Sequence, residues 1–146
     1  MGAWGTGSFE NDAASDWFYL VEEAVEPGPV IASALDDALA EAGYLELDAG
    51  CAAIAAAELS ASCAGEVADN LPDHIRRWVS EHPHQPHAPE IEHAVQAVER
   101  VRAESELREL WDDETSPDDN AWLRAVDDLV ARLRRSGTDA PAALRP

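Results

Sequence analysis

Three carboxylates are spaced so that they could hold a divalent cation or share a proton. Asp12 and Asp16 are four residues apart and would share one face of a helix. Glu58 is the only charge in an alanine-rich stretch, and if it reached that pair, a three-carboxylate site would form between helices. No His follows Glu58 at Glu-x-x-His spacing, so the alternatives stay open. In the alternative, Asp12 and Asp16 cap the helix and lie on its solvated face. A buried Glu58 would then form its hydrogen bonds with an Arg, Ser60 or Ser62.

A second group of metal-ligand types is a short histidine-rich run. His82, His84 and His87 lie close together in the sequence, with His74 and His93 in the flanking helices. Imidazoles at this density can bind zinc, nickel or copper. The interleaved prolines favour an exposed, extended loop, which would not fix the geometry of a metal site. The alternative prediction is therefore adventitious metal binding.

The glycine-rich segment of residues 2–10 carries the aromatic residues Trp4 and Phe9. Backbone amides that lead into a helix can cradle a phosphate, but here no strand precedes the segment, the Walker lysine is missing and acids surround it. We expect a bent segment that docks Trp4 and Phe9 onto the core. A ligand pocket lined by these aromatic side chains is the alternative.

An acidic stretch, WDDETSPDD, occupies residues 111–119 and includes Asp112 and Asp113. Its acids exceed what helix capping requires, so the stretch could contact a basic partner, and a solvated turn is the alternative. The serines lack a nucleophile-elbow motif, and no His lies at a recognisable spacing from them. No catalytic residue and no cofactor are predicted.

The charge is unusually negative and unevenly distributed. The chain has 30 Asp and Glu against 10 Arg and no Lys, a net charge of −20. Residues 1–75 carry −15 with no basic residue, and residues 76–146 carry −5. Such a surface repels nucleic acid and anionic lipid and favours a basic partner or a cation. The alternative is that acidity only keeps the protein soluble.

The length of 146 residues suits one domain with one core. No stretch is apolar for long enough to span a membrane, and no secretory signal is recognisable, so we expect a cytoplasmic protein. Cys51 and Cys63 are twelve residues apart in one predicted helix, about 18 Å along its axis, too far for a disulfide. Two reduced, buried thiols are predicted.

Apolar periodicity predicts an all-α fold, a compact bundle of about six helices. Residues 49–64 are small or apolar on nearly every face, which is typical of a central helix. In the first helix, Trp17, Leu20 and Val21 are predicted to be buried. The last helix is predicted to end at Gly137, so that residues 1–137 form a single domain and residues 138–146 a flexible tail.

Several of these segments together resemble a bacterial family known as domain of unknown function 4259. The segments are MGAWGTGSFENDAASDW at the start, the alanine-rich helix, SELRELWDD at residues 105–113 and AWL at residues 121–123. The resemblance implies a compact bacterial protein of this size and supplies no established activity.

The leading functional hypothesis is a non-enzymatic protein-interaction module that binds a basic partner, as an immunity protein or antitoxin would bind a cationic toxin. It follows from a first half without basic residues and from the lack of a catalytic arrangement. Two alternatives stay open. One is a small metal-dependent hydrolase that uses Asp12, Asp16 and Glu58 or the histidines, and the other is a small-molecule binder that uses Trp4 and Phe9.

Overall fold

A computed structural model describes residues 8–9, 12–41, 43–82, 86–106 and 121–144, with side chains up to residue 136 in the last range. These residues form six helices and no strand, which confirms the all-α prediction. The helices are α1 (Asp12–Glu23), α2 (Pro27–Ala40), α3 (Leu47–Cys63), α4 (Asp73–Glu81), α5 (Ala88–Ala103) and α6 (Ala121–Leu144). Within these ranges, no helix has both the length and the hydropathy needed to cross a membrane.

Helix α3 occupies the centre of the bundle, as its composition predicts. It packs against all five other helices, and its residues from Ala53 to Ser62 are buried without interruption. Alanine side chains leave room for neighbouring helices to approach closely from every side. The polar side chains of Glu58, Ser60 and Ser62 are therefore carried into the core with the rest of the helix.

Both cysteines belong to α3 and form no disulfide with each other. Cys51 is buried, whereas Cys63 is only partly buried, so the predicted burial of Cys63 was wrong. Burial of Cys51, followed by the nearby negative charges of Asp48 and Glu106, raises the pKa of its thiol to about 12. This group is an acid that stays protonated in the folded chain at a pH where the unfolded chain ionises.

This pKa difference predicts a loss of stability at alkaline pH. Below pH 9.0 the thiol of Cys51 is protonated in both states, whereas between pH 9.0 and about 12 only the unfolded chain releases the proton. The free energy of unfolding should fall by at most about 1.4 kcal/mol per pH unit in that window. Urea unfolding of Cys51→Ala and Cys63→Ala at several pH values checks this: only Cys51→Ala should flatten the decline, and equal slopes for wild type and Cys51→Ala would contradict it.

Helix α1 is rotated relative to the sequence prediction. It buries Ala14, Trp17, Phe18 and Val21, whereas Leu20 is 57% exposed, so the predicted burial of Leu20 was wrong. Trp17 and Phe18 are adjacent, and the face that covers both large rings removes more apolar surface from water than one that covers Leu20. The next helix, α2, begins at Pro27, a residue type favoured in the first turn.

Helix α6 packs an apolar stripe against α5 and α3. Trp122, Val126, Leu129 and Leu133 are buried, and Val130 is half-buried. The backbone stays helical to Leu144, so the predicted end at Gly137 was wrong. A glycine inside a helix costs only about 1 kcal/mol relative to alanine and does not by itself stop one.

The N-terminus of α3 is held by a residue from beyond α5. Glu106 accepts a hydrogen bond from the backbone N–H of Leu47 at 2.9 Å and donates its own N–H to the carbonyl of Leu45 at 2.8 Å. A carboxylate at this position also complements the positive end of the helix dipole. The chain therefore bends directly after α5, at Glu104 and Ser105.

Candidate functional site

The main polar feature of the core is an ion pair between Glu58 on α3 and Arg132 on α6. Glu58 is 2% exposed and Arg132 is 6% exposed. The two terminal guanidinium nitrogens of Arg132 donate to the two carboxylate oxygens of Glu58 at 2.6 and 2.9 Å. This two-bond geometry is the strongest that an arginine and a carboxylate can form.

Additional hydrogen bonds complete this buried cluster. Ser8 donates to Glu58 at 3.0 Å and Ser62 donates to it at 3.4 Å. Arg132 also donates to the carboxylate of Asp128 at 2.8 Å and to the backbone carbonyl of Glu66 at 3.0 Å. The cluster thus joins four parts of the chain: the amino-terminal segment, α3, the turn after α3, and α6.

The carbonyl of Glu66 reaches Arg132 because of the way in which α3 ends. Gly65 adopts a positive φ of 96°, and the N–H groups of Gly65 and Glu66 donate back to the carbonyls of Ser62 and Ala61. This is the Schellman pattern, in which a glycine reverses the chain directly after a helix. The side chain of Glu66 then accepts a hydrogen bond from Arg135 at 3.0 Å.

The electrostatics of the cluster keep Arg132 charged. Burial lowers the pKa of Arg132, but its hydrogen bonds to Glu58 and Asp128 and their negative charges raise it by more. The net pKa therefore lies above the ordinary value of arginine. Glu58 has the structural role that was the alternative sequence prediction, an acid satisfied by an arginine and a serine.

A cavity of about 490 Å³ opens beside this cluster. Its polar lining consists of Ser8, Glu58, Asp69, Asn70, Arg124, Asp128 and Arg132. The volume is within the range of small-molecule sites, but the lining carries charges of both signs rather than the predominantly apolar wall typical of such sites. The cavity could admit a small polar molecule, and nothing in its lining selects one class of compound.

The structure does not bring the predicted three-carboxylate site together. Asp12 and Asp16 are exposed on the outer surface of α1, whereas Glu58 is buried against Arg132. No group of three His, Cys, Asp or Glu side chains within the described ranges is arranged to hold a metal ion. Asp12, Asp16 and Glu58 therefore do not form one three-carboxylate site.

Three of the other predicted site residues, Phe9, His82 and His87, lie within the described ranges. Phe9 is 3% exposed and contacts the ring of Phe18 edge to face at 5.8 Å, within the core. His82 stacks on Trp78 at 4.8 Å, and His87 is exposed just before α5. The remaining predicted residues, Trp4, His84, Asp112 and Asp113, are outside the described residues.

The segment that spans α1 and α2 carries many exposed carboxylates. Residues 12–41 contain eight carboxylates, no Arg and no Lys, and all eight are exposed. Among the residues that the structure describes, only Asp36 of this set forms an ion pair, with His93 at 3.0 Å. The eight are Asp12, Asp16, Glu22, Glu23, Glu26, Asp36, Asp37 and Glu41, and we refer to them as the acidic face.

Comparison with known proteins supplies the family but no activity. A protein-family model for a domain of unknown function (DUF4259) matches residues 2–125. The chain belongs to this family. The match confirms the resemblance seen in the sequence, and it covers the amino-terminal segment, α1 to α5 and the first turn of α6. Searches of curated proteins and of solved structures gave no match.

Proposed function

We propose that this protein is a non-enzymatic interaction module whose acidic face binds a basic protein, in the manner of an immunity protein or antitoxin that neutralises a cationic toxin. The observation that carries this proposal is the acidic face itself: six exposed carboxylates on two adjacent helices and two more at the ends of α2, without one arginine or lysine in residues 12–41. Cys51 and Cys63 form no disulfide, which suits a reducing compartment, and we propose the cytoplasm.

Four of the arginines form ion pairs with carboxylates outside the acidic face, and Arg100 donates to the backbone carbonyls of Glu41 and Gly43. Arg102 pairs with Asp127 at 2.7 Å and Arg134 pairs with Glu99 at 3.0 Å, linking α5 to α6. Arg132 and Arg135 pair with Glu58 and Glu66. Apart from Asp36, which pairs with His93, the carboxylates of α1 and α2 form no ion pair within the described residues and are available to a partner from outside.

Uncompensated surface charge acts on association more than on folding. Carboxylates gathered on one surface attract a cationic protein and raise its association rate, and they repel phosphate backbones and anionic lipid. The attraction is screened at high ionic strength, because exposed charges interact over a Debye length of about 8 Å at physiological salt. A partner recognised in this way should bind in a salt-sensitive manner.

Charge-neutralising variants test the proposal. The variant Asp12→Asn/Asp16→Asn/Glu23→Gln removes three exposed charges from the acidic face, and at about 0.5 kcal/mol each it should weaken binding of a basic partner about tenfold. The matched control, Glu81→Gln/Glu92→Gln/Glu104→Gln, removes three exposed charges from residues 81–104. The measurement is capture of basic proteins from native lysate at low and high salt, followed by titration of the captured protein.

Two results would contradict the proposal. One is capture of neutral or acidic proteins only, or capture that does not change with salt. The other is an equal loss of binding in the acidic-face variant and in the control variant, because general net charge rather than this surface would then be responsible.

A further inference from the structure

Two large apolar side chains stand exposed next to each other on α1. Tyr19 is 63% exposed and Leu20 is 57% exposed, although the preceding pair, Trp17 and Phe18, is buried. Single exposed apolar residues are ordinary on protein surfaces, whereas an adjacent aromatic and aliphatic pair is a small apolar patch. Because Tyr19 and Leu20 point away from the core, packing of the core does not explain why these two positions are apolar.

The patch is bordered by carboxylates of the acidic face. Asp12, Asp16, Tyr19 and Glu23 recur at intervals of three or four residues and so form one row along the outside of α1, with Leu20 beside it. Within the described part of the chain, none of these five side chains forms a hydrogen bond, ion pair or ring contact. The row is a continuous surface, apolar in the middle and negative at both ends.

The side chains of this surface indicate which side chains a partner would need in order to bind it. Tyrosine is enriched at protein interfaces, where its ring adds apolar contact area and attracts the ammonium or guanidinium group of a partner. Leu20 can be covered only by an apolar side chain, and Asp12, Asp16 and Glu23 select Lys or Arg around it. The helical interval of the row matches a second helix lying along it, whose own side chains recur at the same interval.

We propose that the outer face of α1 docks a basic amphipathic helix of the partner protein, with an apolar stripe over Tyr19 and Leu20 and flanking Lys or Arg on Asp12, Asp16 and Glu23. This proposal rests on the function proposed above and narrows the partner from any cationic protein to one that presents such a helix. A disordered polycation would use the carboxylates alone and would gain nothing from the apolar pair.

Two synthetic peptides of identical composition distinguish these cases. In one, Leu residues form a helical stripe flanked by Lys, and in the other the same residues are scrambled so that no stripe forms. Wild-type protein should bind the striped peptide about tenfold more tightly than the scrambled one. In the variant Tyr19→Ser/Leu20→Ser this preference should disappear while net charge stays the same. Tyr44→Ser, which changes a tyrosine that is 55% exposed outside α1, should keep the preference.

The outcomes separate the two proposals. If wild-type protein binds both peptides equally and in a salt-sensitive way, or if Tyr19→Ser/Leu20→Ser keeps the preference, the docking face is wrong and the acidic interaction module stands. If neither peptide binds at low salt, both proposals fail. Circular dichroism of each variant verifies that the helices are intact, which is expected because the substituted side chains are mostly exposed.

Discussion

Replacing Arg132 with Met is expected to lower the free energy of unfolding by about 3–5 kcal/mol. The substitution leaves Glu58, which is 2% exposed, as a charge inside the bundle without its guanidinium partner. It also removes the donors to Asp128 and to the carbonyl of Glu66. A loss of this size is a large fraction of the 5–15 kcal/mol that is the general range for folded domains, so the variant should unfold at much lower urea concentration.

Arg134→Met is the matched control, on the same helix and with the same change of charge. Its ion pair with Glu99 joins two side chains that are more than half exposed, and such pairs contribute about 0–1 kcal/mol. The double variant Glu58→Met/Arg132→Met should be more stable than Arg132→Met alone, because no unpaired charge is left in the core. Equal urea midpoints for Arg132→Met and Arg134→Met would contradict this account of the buried pair.

The buried pair also connects the fold to the surface proposed for binding. Through Ser8 it holds the segment that leads into α1, and through the carbonyl of Glu66 it holds the turn after α3. Helix α1 packs in turn on α3 and α2. Loss of Arg132 should therefore weaken partner binding indirectly, through unfolding, and binding should recover in conditions that restore the folded population.

The central position of α3 could be predicted from sequence because it depends on local composition. A helix that is apolar on every face can be buried only if other helices surround it, whatever their order. The partner of Glu58 could not be predicted in the same way. Arg132 is 74 residues away from Glu58 in the chain. In the sequence it stands near the predicted carboxyl end of the last helix, where an arginine is ordinarily explained by its favourable interaction with the helix dipole.

The apolar pattern of one helix, read alone, predicted neither the buried face of α1 nor the length of α6. The buried face of α1 depends on contacts with other parts of the chain. Two faces of α1 are apolar enough to be buried. One contains Trp17 and Leu20, and the other contains Trp17 and Phe18; the structure buries the second. The ring of Phe18 contacts Phe9 in the amino-terminal segment and His74 and Trp78 in α4, two other parts of the chain. Gly137 similarly has the residue type of a helix end, but the backbone continues as a helix.

The acidic composition predicted the sign of the surface but not its distribution in space. The sequence shows that the first half has no basic residue, and it leaves open whether arginines of the second half fold over those acids. The structure shows that Arg102 and Arg134 connect α5 to α6. Within the described part of the chain, no arginine forms an ion pair with a carboxylate of α1 or α2, which only the structure could show.

Substitutions at two adjacent residues of α1 should differ greatly in their effect on the free energy of unfolding, because Phe18 faces the core and Tyr19 faces outward. Phe18→Ala is expected to lower the free energy of unfolding by about 3–5 kcal/mol, the usual cost of removing a buried phenyl ring and leaving a cavity. Phe18 is 2% exposed and is met edge to face by Phe9 and Trp78 at 5.8 and 5.7 Å. The ring contacts add to the loss, since such pairs contribute beyond their buried area.

Tyr19→Ala, one residue later and 63% exposed, should change the free energy of unfolding by no more than about 0.5 kcal/mol. Urea unfolding followed by circular dichroism measures both variants on one scale. If the two substitutions destabilise the protein equally, α1 is not oriented as described, and Tyr19 and Leu20 would not be available to a partner. If they differ as expected, a binding defect in a variant of Tyr19 can be attributed to the surface, because the fold of that variant would be unchanged.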